Sequence, residues 1–229
     1  MIRLTVFDMA GTTVDNAFSV HDAMIRAFAQ FKLTIDRELA NLVIAVPKPV
    51  GIHHVLNKLG IVQPDLEPQL LSAFKSEMGH YYAYDPDVQE VPGTSTVFRA
   101  LKGLGIIVGL DTGFDREMAD IILSRMNWQT EGLVDFTITS DEVSSGRPHP
   151  EMIHRLMDFC GIQRPDQVVK VGDTPADITQ GRRAQCACVI GRLSGAFSRE
   201  ALLTAGADAV VSDIRDVLPI IYEAHEAVG

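Results

Sequence analysis

Carboxylates, hydroxyls and an arginine follow four apolar segments of this sequence, and these side chains are of the types that phosphoryl chemistry uses. In the first motif, Asp8 ends the apolar run Leu4–Phe7 and precedes Gly11, Thr12 and Thr13. An aspartate in this position can act as a nucleophile, beside backbone amides that hold phosphate oxygens. The same aspartate is equally suited to capping the helix that follows, so this motif alone does not decide its role.

The second and third motifs offer groups that bind phosphate. Thr112 and Gly113 follow an apolar run, and a hydroxyl followed by glycine presents a side-chain donor and a free backbone amide. Arg147 lies between Gly146 and Pro148, and its guanidinium can hold a phosphate in fork geometry. Taken alone, the second motif is more simply a turn and the third a surface arginine.

The fourth motif is typical of a magnesium site. The apolar run Val168–Val171 leads into Gly172 and Asp173, and Asp177 follows four residues later. Carboxylate oxygens are the ligands that Mg²⁺ prefers, although two helix-capping carboxylates would explain this motif equally well. All four motifs follow predicted strands, and the carboxyl ends of parallel strands share one edge of a sheet. Their order therefore favours one active site.

Strands and helices alternate over most of the chain, which predicts an α/β fold with a parallel sheet. Short β-branched apolar runs predict strands at Leu4–Phe7, Ile106–Leu110, Phe136–Thr139, Val168–Val171, Ala187–Ile190 and Ala209–Val211. Helical periodicity predicts helices between them at Arg116–Met126, Pro150–Cys160, Asp177–Ala184 and Arg199–Ala205.

One region interrupts this alternation. Residues 17–90 show only helical periodicity, in the pieces His21–Phe31, Arg37–Ala45, Gly51–Leu59 and Leu66–Tyr84. We interpret them as an inserted helical cap domain, and residues 1–16 and 91–229 as the core, with hinges near Asp15–Ala17 and Glu90–Gly93. A lid of this kind excludes water and selects the substrate.

The composition limits the classes of function. The 229 residues carry a net charge of −10, which disfavours a general nucleic-acid-binding protein. No apolar stretch is long enough to cross a bilayer, and no secretory leader is recognisable, so we expect a cytoplasmic protein without membrane partners. The cysteines Cys160, Cys186 and Cys188 are unsuited by number and spacing to a disulfide framework or a zinc site.

Three shared details connect the motifs with a known family. Ala10 stands two residues after Asp8, where most related phosphatases have a second aspartate; arginine replaces lysine in Gly146-Arg147-Pro148; and Thr112–Met118 matches the second motif. The chain resembles hydrolases of the haloacid dehalogenase superfamily over nearly its whole length, and phosphonoacetaldehyde hydrolases (phosphonatases) in particular. The resemblance implies a Rossmann-like parallel-sheet core with helices on both faces, plus the helical cap.

The resemblance also assigns roles to residues. Asp8 would be the nucleophile that forms an aspartyl-phosphate, and Mg²⁺ would be held by Asp8, the backbone carbonyl of Ala10 and Asp173, with Asp177 supporting its shell. The groups expected to bind substrate are Gly11, Thr12, Thr112, Gly113 and Arg147. A small phosphorylated or phosphonate metabolite is the expected substrate, and relatives that pair through their caps imply a homodimer.

The chain also departs from the family. Ala10 cannot protonate a leaving group, a role worth about 10²–10⁴-fold in rate. Phosphonatases instead use a cap lysine that forms a Schiff base, three residues before a histidine. Here His54 matches that histidine, but Gly51 stands in place of the lysine, and Phe114 replaces the family's tyrosine. His53 and His54 are the candidates for a cap acid, with packing of the cap against the core as the alternative.

We therefore predict a phosphonatase-like hydrolase without Schiff-base chemistry, and three alternatives stay open. Lys48, between Pro47 and Pro49, is either a solvent-facing lysine or the relocated Schiff-base lysine of a true phosphonoacetaldehyde hydrolase. A slow or non-catalytic phosphate-binding regulatory protein is the second alternative. Dehalogenation without Mg²⁺ is the third, and the Asp173 and Asp177 pair argues against it. No role is predicted for the other lysines, Lys32, Lys58, Lys75, Lys102 and Lys170.

Overall fold

The computed structural model describes residues 1–15, 20–43 and 48–227 of the chain. The chain divides into two compact units, Met1–Asn16 with Gln89–Gly229 and Ala17–Val88. Gln89 and Glu90 thus belong to the first unit, whereas the sequence-based boundary follows residue 90. The predicted hinge near Asp15–Ala17 falls partly on residues 16–19, which lie outside the described residues.

The described residues of the second unit form helices joined by short turns. The helices are α1 (Val20–Gln30), α2 (Arg37–Ala40), α3 (Lys48–Lys58) and α4 (Leu66–Tyr84). Helix α1 packs against α4, and its apolar residues Met24 and Phe28 are completely buried. The predicted helix Arg37–Ala45 is shorter than expected, because α2 ends at Ala40 and a 3-10 turn covers Asn41–Val43. Its last two residues lie outside the described residues.

A close approach of backbone to backbone requires the glycine at position 51. Helix α3 lies against the 3-10 turn that ends at Val43. A Cβ atom on Gly51 would lie 2.6 Å from the Cα of Val43, which is closer than real Cβ contacts. The position at which the resemblance places a lysine is therefore one where any side chain would force α3 away from the turn.

The first unit contains a sheet of six parallel strands within its described residues. The strands are β1 (Leu4–Asp8), β2 (Ile107–Thr112), β3 (Phe136–Thr139), β4 (Val168–Gly172), β5 (Cys188–Arg192) and β6 (Ala209–Val211), in the order β3-β2-β1-β4-β5-β6. All six predicted strands are present. Strand β2 extends beyond the predicted end at Leu110, because Asp111 and Thr112 continue the pairing with β3.

Helices follow most of these strands. They are α5 (Thr94–Gly103), α6 (Arg116–Met126), α7 (Glu151–Phe159), α8 (Pro175–Arg183), α9 (Arg199–Thr204) and α10 (Val217–Ala227). The four helices predicted after residue 115 are confirmed, and α8 begins earlier than predicted. Thr174 and Asp177 form a capping box there, which satisfies the first amides of the helix.

Alternate residues of β1 show that both faces of the sheet are covered. Leu4 and Val6 belong to a buried cluster with Leu156 of α7 and Ile178 of α8. Phe7 points the other way and meets Phe98 of α5 edge to face, with ring centroids 5.2 Å apart. The predicted fold class, a Rossmann-like parallel sheet between helical layers, is therefore confirmed.

Two predictions from composition can be compared with the structure. None of the described helices combines the length and the apolar character that a membrane crossing requires. The three cysteines are free thiols, of which Cys186 and Cys188 are buried and Cys160 is half-buried. Burial raises the pKa of Cys186 to about 12, which makes it a core residue of low reactivity.

Candidate active site

The polar ends of three neighbouring strands meet at the carboxyl edge of the sheet. Asp8 is the last residue of β1, and it lies directly opposite Asp111 of β2. On the other side of β1, strand β4 ends at Gly172, and Asp173 follows immediately. The strands are parallel, so their carboxyl ends, and the loops that begin there, converge on this edge.

Three of the predicted metal ligands form one cluster at this edge. One carboxylate oxygen each of Asp8, Asp173 and Asp177 lies within 4.8 Å of the other two, and all three residues are buried. Carboxylates so close together repel one another unless a cation lies among or beside them. The donor set is of the kind that binds a hard divalent cation.

The loop after β1 is folded tightly against this cluster. Gly11 has a φ of +84°, and a Cβ atom there would lie 2.3 Å from Oδ2 of Asp173. The Thr12 hydroxyl donates to Oδ1 of Asp173 at 3.4 Å, and the Ser194 hydroxyl donates to Oδ2 at 2.6 Å. Arg192 donates through Nη1 to the carbonyl of Gly11. A glycine at position 11 thus lets the loop approach Asp173.

The backbone amides of this loop are engaged within the loop itself. The amide of Gly11 donates to the carbonyl of Val14 at 2.9 Å, and the amide of Thr12 donates to the carbonyl of Met9 at 3.2 Å. Ala10 forms a β-bridge with Val14, so the loop closes on itself. Substrate binding by Gly11 and Thr12, and metal binding by the carbonyl of Ala10, stay predictions.

Arg147, the predicted phosphate-binding arginine, contacts the acidic cluster. Its Nη2 donates to Oδ1 of Asp8 and, at 3.2 Å, to Oδ1 of Asp111, while its Nη1 lies 2.7 Å from Oδ1 of Asp177. Burial alone would lower the pKa of Arg147, but the carboxylates of Asp177, Asp8 and Asp111 outweigh it and raise the pKa well above the usual value. The guanidinium is therefore a fixed positive charge in contact with the predicted nucleophile.

Lys170 is a component of the site that the sequence interpretation missed. It lies in β4 and is completely buried, with its Nζ 2.5 Å from Oδ1 of Asp111 and 3.3 Å from Oδ1 of Asp177. The sequence analysis assigned no role to Lys170, and these two ion pairs show that it contacts the carboxylates of the cluster. The signal was present in the run Val168-Val169-Lys170-Val171, because a lysine inside a buried strand requires a carboxylate partner.

The pKa values of the clustered carboxylates shift in different directions. Burial raises the pKa of Asp8 well above its usual value, although Arg147 opposes the shift. Burial and the nearby Asp177 raise the pKa of Asp173. Burial acts in the same sense on Asp177, but Arg147 and Lys170 outweigh it and lower the pKa. At Asp8 and Asp173, unlike at Asp177, the neighbouring positive charges thus do not offset the effect of burial on the pKa.

The charge balance of the site fits a divalent cation. The buried carboxylates at this edge are those of Asp8, Asp111, Asp173 and Asp177. Among the described residues, the cations that form ion pairs with them are Arg147 and Lys170. With all four carboxylates ionised, two negative charges remain in excess, and a bound Mg²⁺ would neutralise them. This cluster can bind a metal ion.

Thr112 and Gly113 lie beside this cluster at the end of β2. Thr112 is buried, and its Oγ1 accepts a hydrogen bond from the amide of Phe114 at 3.1 Å. The hydroxyl hydrogen of Thr112 is thereby left to donate elsewhere. Gly113 is exposed, so a phosphoryl oxygen can approach its backbone. Their role as ligands of the phosphoryl group stays a prediction.

The candidate residues of the helical unit are arranged differently. His53 and His54 are both exposed on α3, and Nδ1 of His53 lies 2.7 Å from Oε1 of Glu67. Lys48 is half-buried at the start of α3, where its Nζ donates to the carbonyl of Val43 at 2.9 Å. Burial lowers the pKa of Lys48, so it differs from an ordinary solvent-facing lysine.

A comparison of the chain with protein families identifies its superfamily. Residues 2–185 match the model described as haloacid dehalogenase-like hydrolase. The chain belongs to this family. Haloacid dehalogenase-like hydrolases are enzymes, and the predicted resemblance is thereby confirmed.

Individual relatives agree with this assignment. A phosphonoacetaldehyde hydrolase from Bacteroides fragilis is 32% identical over 200 residues, covering 80% of this chain and 73% of that protein. One from Bacillus cereus is 29% identical over 203 residues, with the same coverage of 80% and 73%. This haloacid dehalogenase-like chain is thus a hydrolase of the phosphatase and phosphonatase type.

A solved structure supports the fold. The phosphonoacetaldehyde hydrolase-like protein from Oleispira antarctica superposes with a TM-score of 0.79 at 22% identity, covering 98% of this chain and 93% of that one. At this identity the superposition supports the fold alone.

Proposed function

We propose that this protein is a Mg²⁺-dependent hydrolase that cleaves a phosphoryl group from a small phosphonate or phosphate ester through an aspartyl-phosphate on Asp8. The observation that carries the proposal is the contact of the buried Asp8 with Arg147, which lies against a cluster of carboxylates. Phosphoryl transfer needs mainly positioning and charge neutralisation, and this arrangement offers both. Residues 17–90 would form the cap, in a cytoplasmic enzyme that pairs through its caps.

Each residue of the sheet edge has a role in the proposed reaction. A carboxylate oxygen of Asp8 attacks phosphorus, the bond from phosphorus to the leaving group breaks, and water then releases phosphate from the acyl phosphate. Arg147, Thr112 and Gly113 would hold the phosphoryl oxygens. Mg²⁺ would be bound by Asp8, Asp173 and the Ala10 carbonyl, with Asp177 supporting, and it would neutralise charge on the transferring group.

The leaving group determines which substrates can react. Ala10 offers no proton, so the substrate must have a good leaving group or receive a proton from another residue. His53 and His54 are the candidates on α3, since histidine is the side chain that most often acts as a general acid and both rings are exposed. We assign the acid to His54 rather than His53, because His53 is already bonded to Glu67.

A second candidate function is hydrolysis of phosphonoacetaldehyde itself with Lys48 as the Schiff-base lysine. The observation that favours it is the half-buried position and lowered pKa of Lys48, since a neutral amine is required for attack on an aldehyde. On α3, Lys48 lies three residues before Gly51 and thus on the same side of the helix. The curated relatives that carry this name support the substrate class.

Phosphate release from a panel of substrates, with and without borohydride, tests both candidates. We expect Mg²⁺-dependent release from phosphate monoesters or phosphonates that borohydride does not affect. The second candidate would be favoured if borohydride stops the turnover of phosphonoacetaldehyde by the parent protein and if the Lys48→Met variant has no such turnover. Stable binding of beryllofluoride without turnover of any substrate would instead indicate the phosphate-binding regulatory protein.

A further inference from the structure

Lys170 and Asp111 lie beneath the candidate active site and take no part in the reaction proposed above. Both side chains are completely buried, and they form an ion pair with each other. A buried ion pair is weak evidence for stability, because its desolvation offsets much of its Coulomb attraction. The role of Lys170 and Asp111 therefore depends on the other charged groups that they contact.

The contacts of Lys170 and Asp111 close a ring of alternating charges. Lys170 approaches Oδ1 of Asp111 and Oδ1 of Asp177, at 2.5 Å and 3.3 Å. Arg147 approaches the same two oxygens through its two terminal nitrogens, at 3.2 Å and 2.7 Å. Each carboxylate oxygen of the ring is thus shared between the two cations.

This ring holds the guanidinium of Arg147 in one orientation. Nη1 is directed to Asp177, and Nη2 is directed to Asp111 and also donates to Asp8. A planar guanidinium held at both ends cannot rotate without breaking an ion pair. The other oxygen of Asp177 is fixed by the hydroxyl of Thr174 at 2.6 Å, so the ring is anchored to the start of α8.

We propose that Lys170 and Asp111 are a positioning pair that holds Arg147 against the nucleophile and sets the charge that Mg²⁺ and the phosphoryl group encounter. This inference rests on the proposed function, since it concerns the same site. Without Lys170, Arg147 is the one cation among the described residues that pairs with Asp111 and Asp177, and these two carboxylates draw it away from the phosphoryl group. Without the charge of Asp111, Arg147 loses one of its ion pairs and can bind the phosphoryl group more strongly.

Opposite shifts in ligand affinity follow from these two changes. Lys170→Met removes a positive charge and leaves the site more negative. The Kd for Mg²⁺ should therefore fall about 3- to 10-fold, and the Kd for inorganic phosphate should rise about as much. Asp111→Asn removes a negative charge, so both shifts should reverse in sign. In the double variant the charges cancel, and the Kd for Mg²⁺ should return to within about 2-fold of the parent.

Isothermal titration calorimetry with Mg²⁺ alone, and then with phosphate in the presence of Mg²⁺, measures these shifts without turnover. Lys102→Met is the matched control, because Lys102 pairs with Asp135 in the same unit on the surface. A purely structural role would weaken both ligands in both variants. Shifts of the same sign in the two single variants, or shifts no larger than in the control, would overturn the proposal.

Two further readouts keep the test decisive. Should Lys170→Met fail to fold in thermal unfolding, Asp111→Asn decides alone. A raised Kd for Mg²⁺ together with a lowered Kd for phosphate is expected, and a raised or unchanged Kd for phosphate would contradict the proposal. For any substrate that is turned over, Lys170→Met should lower kcat about 10- to 100-fold through misplacement of Arg147. A parent protein without turnover would count against the proposed function, while the calorimetric signs would still decide on Lys170 and Asp111.

Discussion

The carboxyl edge of the sheet and helix α3 both carry candidate functional side chains, but they hold them in different ways. At the sheet edge, Asp8 is buried, only 12% of the Arg147 side chain is exposed, and a charge-assisted hydrogen bond joins the two. On α3, His53 and His54 are exposed to solvent. A buried network is already oriented before substrate arrives, whereas an exposed side chain is free to adapt to it. Substitutions at the edge should therefore affect all substrates, and substitutions on α3 should affect some.

The largest effect is expected at the nucleophile. Asp8→Asn removes the attacking carboxylate oxygen and one of the proposed metal ligands, so turnover should fall about 10⁴-fold or more for every substrate. Phosphate release under single-turnover conditions measures the loss. Asp15→Asn, an exposed carboxylate after the same loop, is the control and should retain activity. Intact turnover in Asp8→Asn would refute the proposed mechanism.

The next effect concerns the geometry of the cation at the edge. Arg147→Lys keeps the positive charge but cannot reach Asp8, Asp111 and Asp177 together, since an ammonium lacks the fork of a guanidinium. We expect kcat/KM to fall about 10²- to 10³-fold for all substrates. Arg164→Lys, in an exposed pair with Asp166, serves as the control. A fall in kcat/KM for one substrate alone would contradict the expectation that substitutions at the sheet edge affect all substrates.

Much of the sheet edge could be predicted from sequence because the signals there are local. Apolar β-branched runs predicted the strands, and the first polar residue after each run marked where that strand reaches the edge. Asp8 and Asp173 were found in this way, whereas Thr112 was found as a hydroxyl that precedes glycine, one residue after Asp111. The structure places all three at that edge. Arg147 was found from the motif Gly146-Arg147-Pro148, which follows the predicted strand Phe136–Thr139 at a greater distance.

The partners of Lys170 and the packing of Gly51 could not be predicted, because both depend on residues that are distant in sequence. The pairing of Lys170 with Asp111 joins residues of β4 and β2, strands that lie on either side of β1. The contact of Gly51 with Val43 follows from the packing of α3 on a 3-10 turn, and helical periodicity does not specify such a turn. Hydrophobic patterns predict which face is buried, but they do not predict which residue touches which.

A smaller and substrate-dependent effect is expected on α3. If His54 supplies a proton, His54→Ala should lower kcat about 10²-fold for an alkyl phosphate and less than about 3-fold for an aryl phosphate with a good leaving group. The difference arises because a stable leaving anion needs no acid. His80→Ala, an exposed histidine on α4, is the control. Equal losses for both esters would exclude an acid role and leave packing as the function of His54.

The smallest effect is expected in the stability of the helical unit rather than in the chemistry. Gly51→Ala places a Cβ atom 2.6 Å from the Cα of Val43, so α3 must shift, and the free energy of unfolding should fall by about 1–3 kcal/mol. Gly103→Ala, where a Cβ would meet nothing within 4 Å, is the control for the glycine change itself. Urea denaturation measures both.

An unchanged stability in Gly51→Ala would show that α3 can accept a side chain at this position. A Gly51→Lys variant would then be a direct attempt to restore the lysine of the phosphonatases. The expected destabilisation would instead mean that close helix packing excludes this lysine, which leaves Lys48, one turn earlier on α3, as the amine to test in any Schiff-base chemistry of this chain.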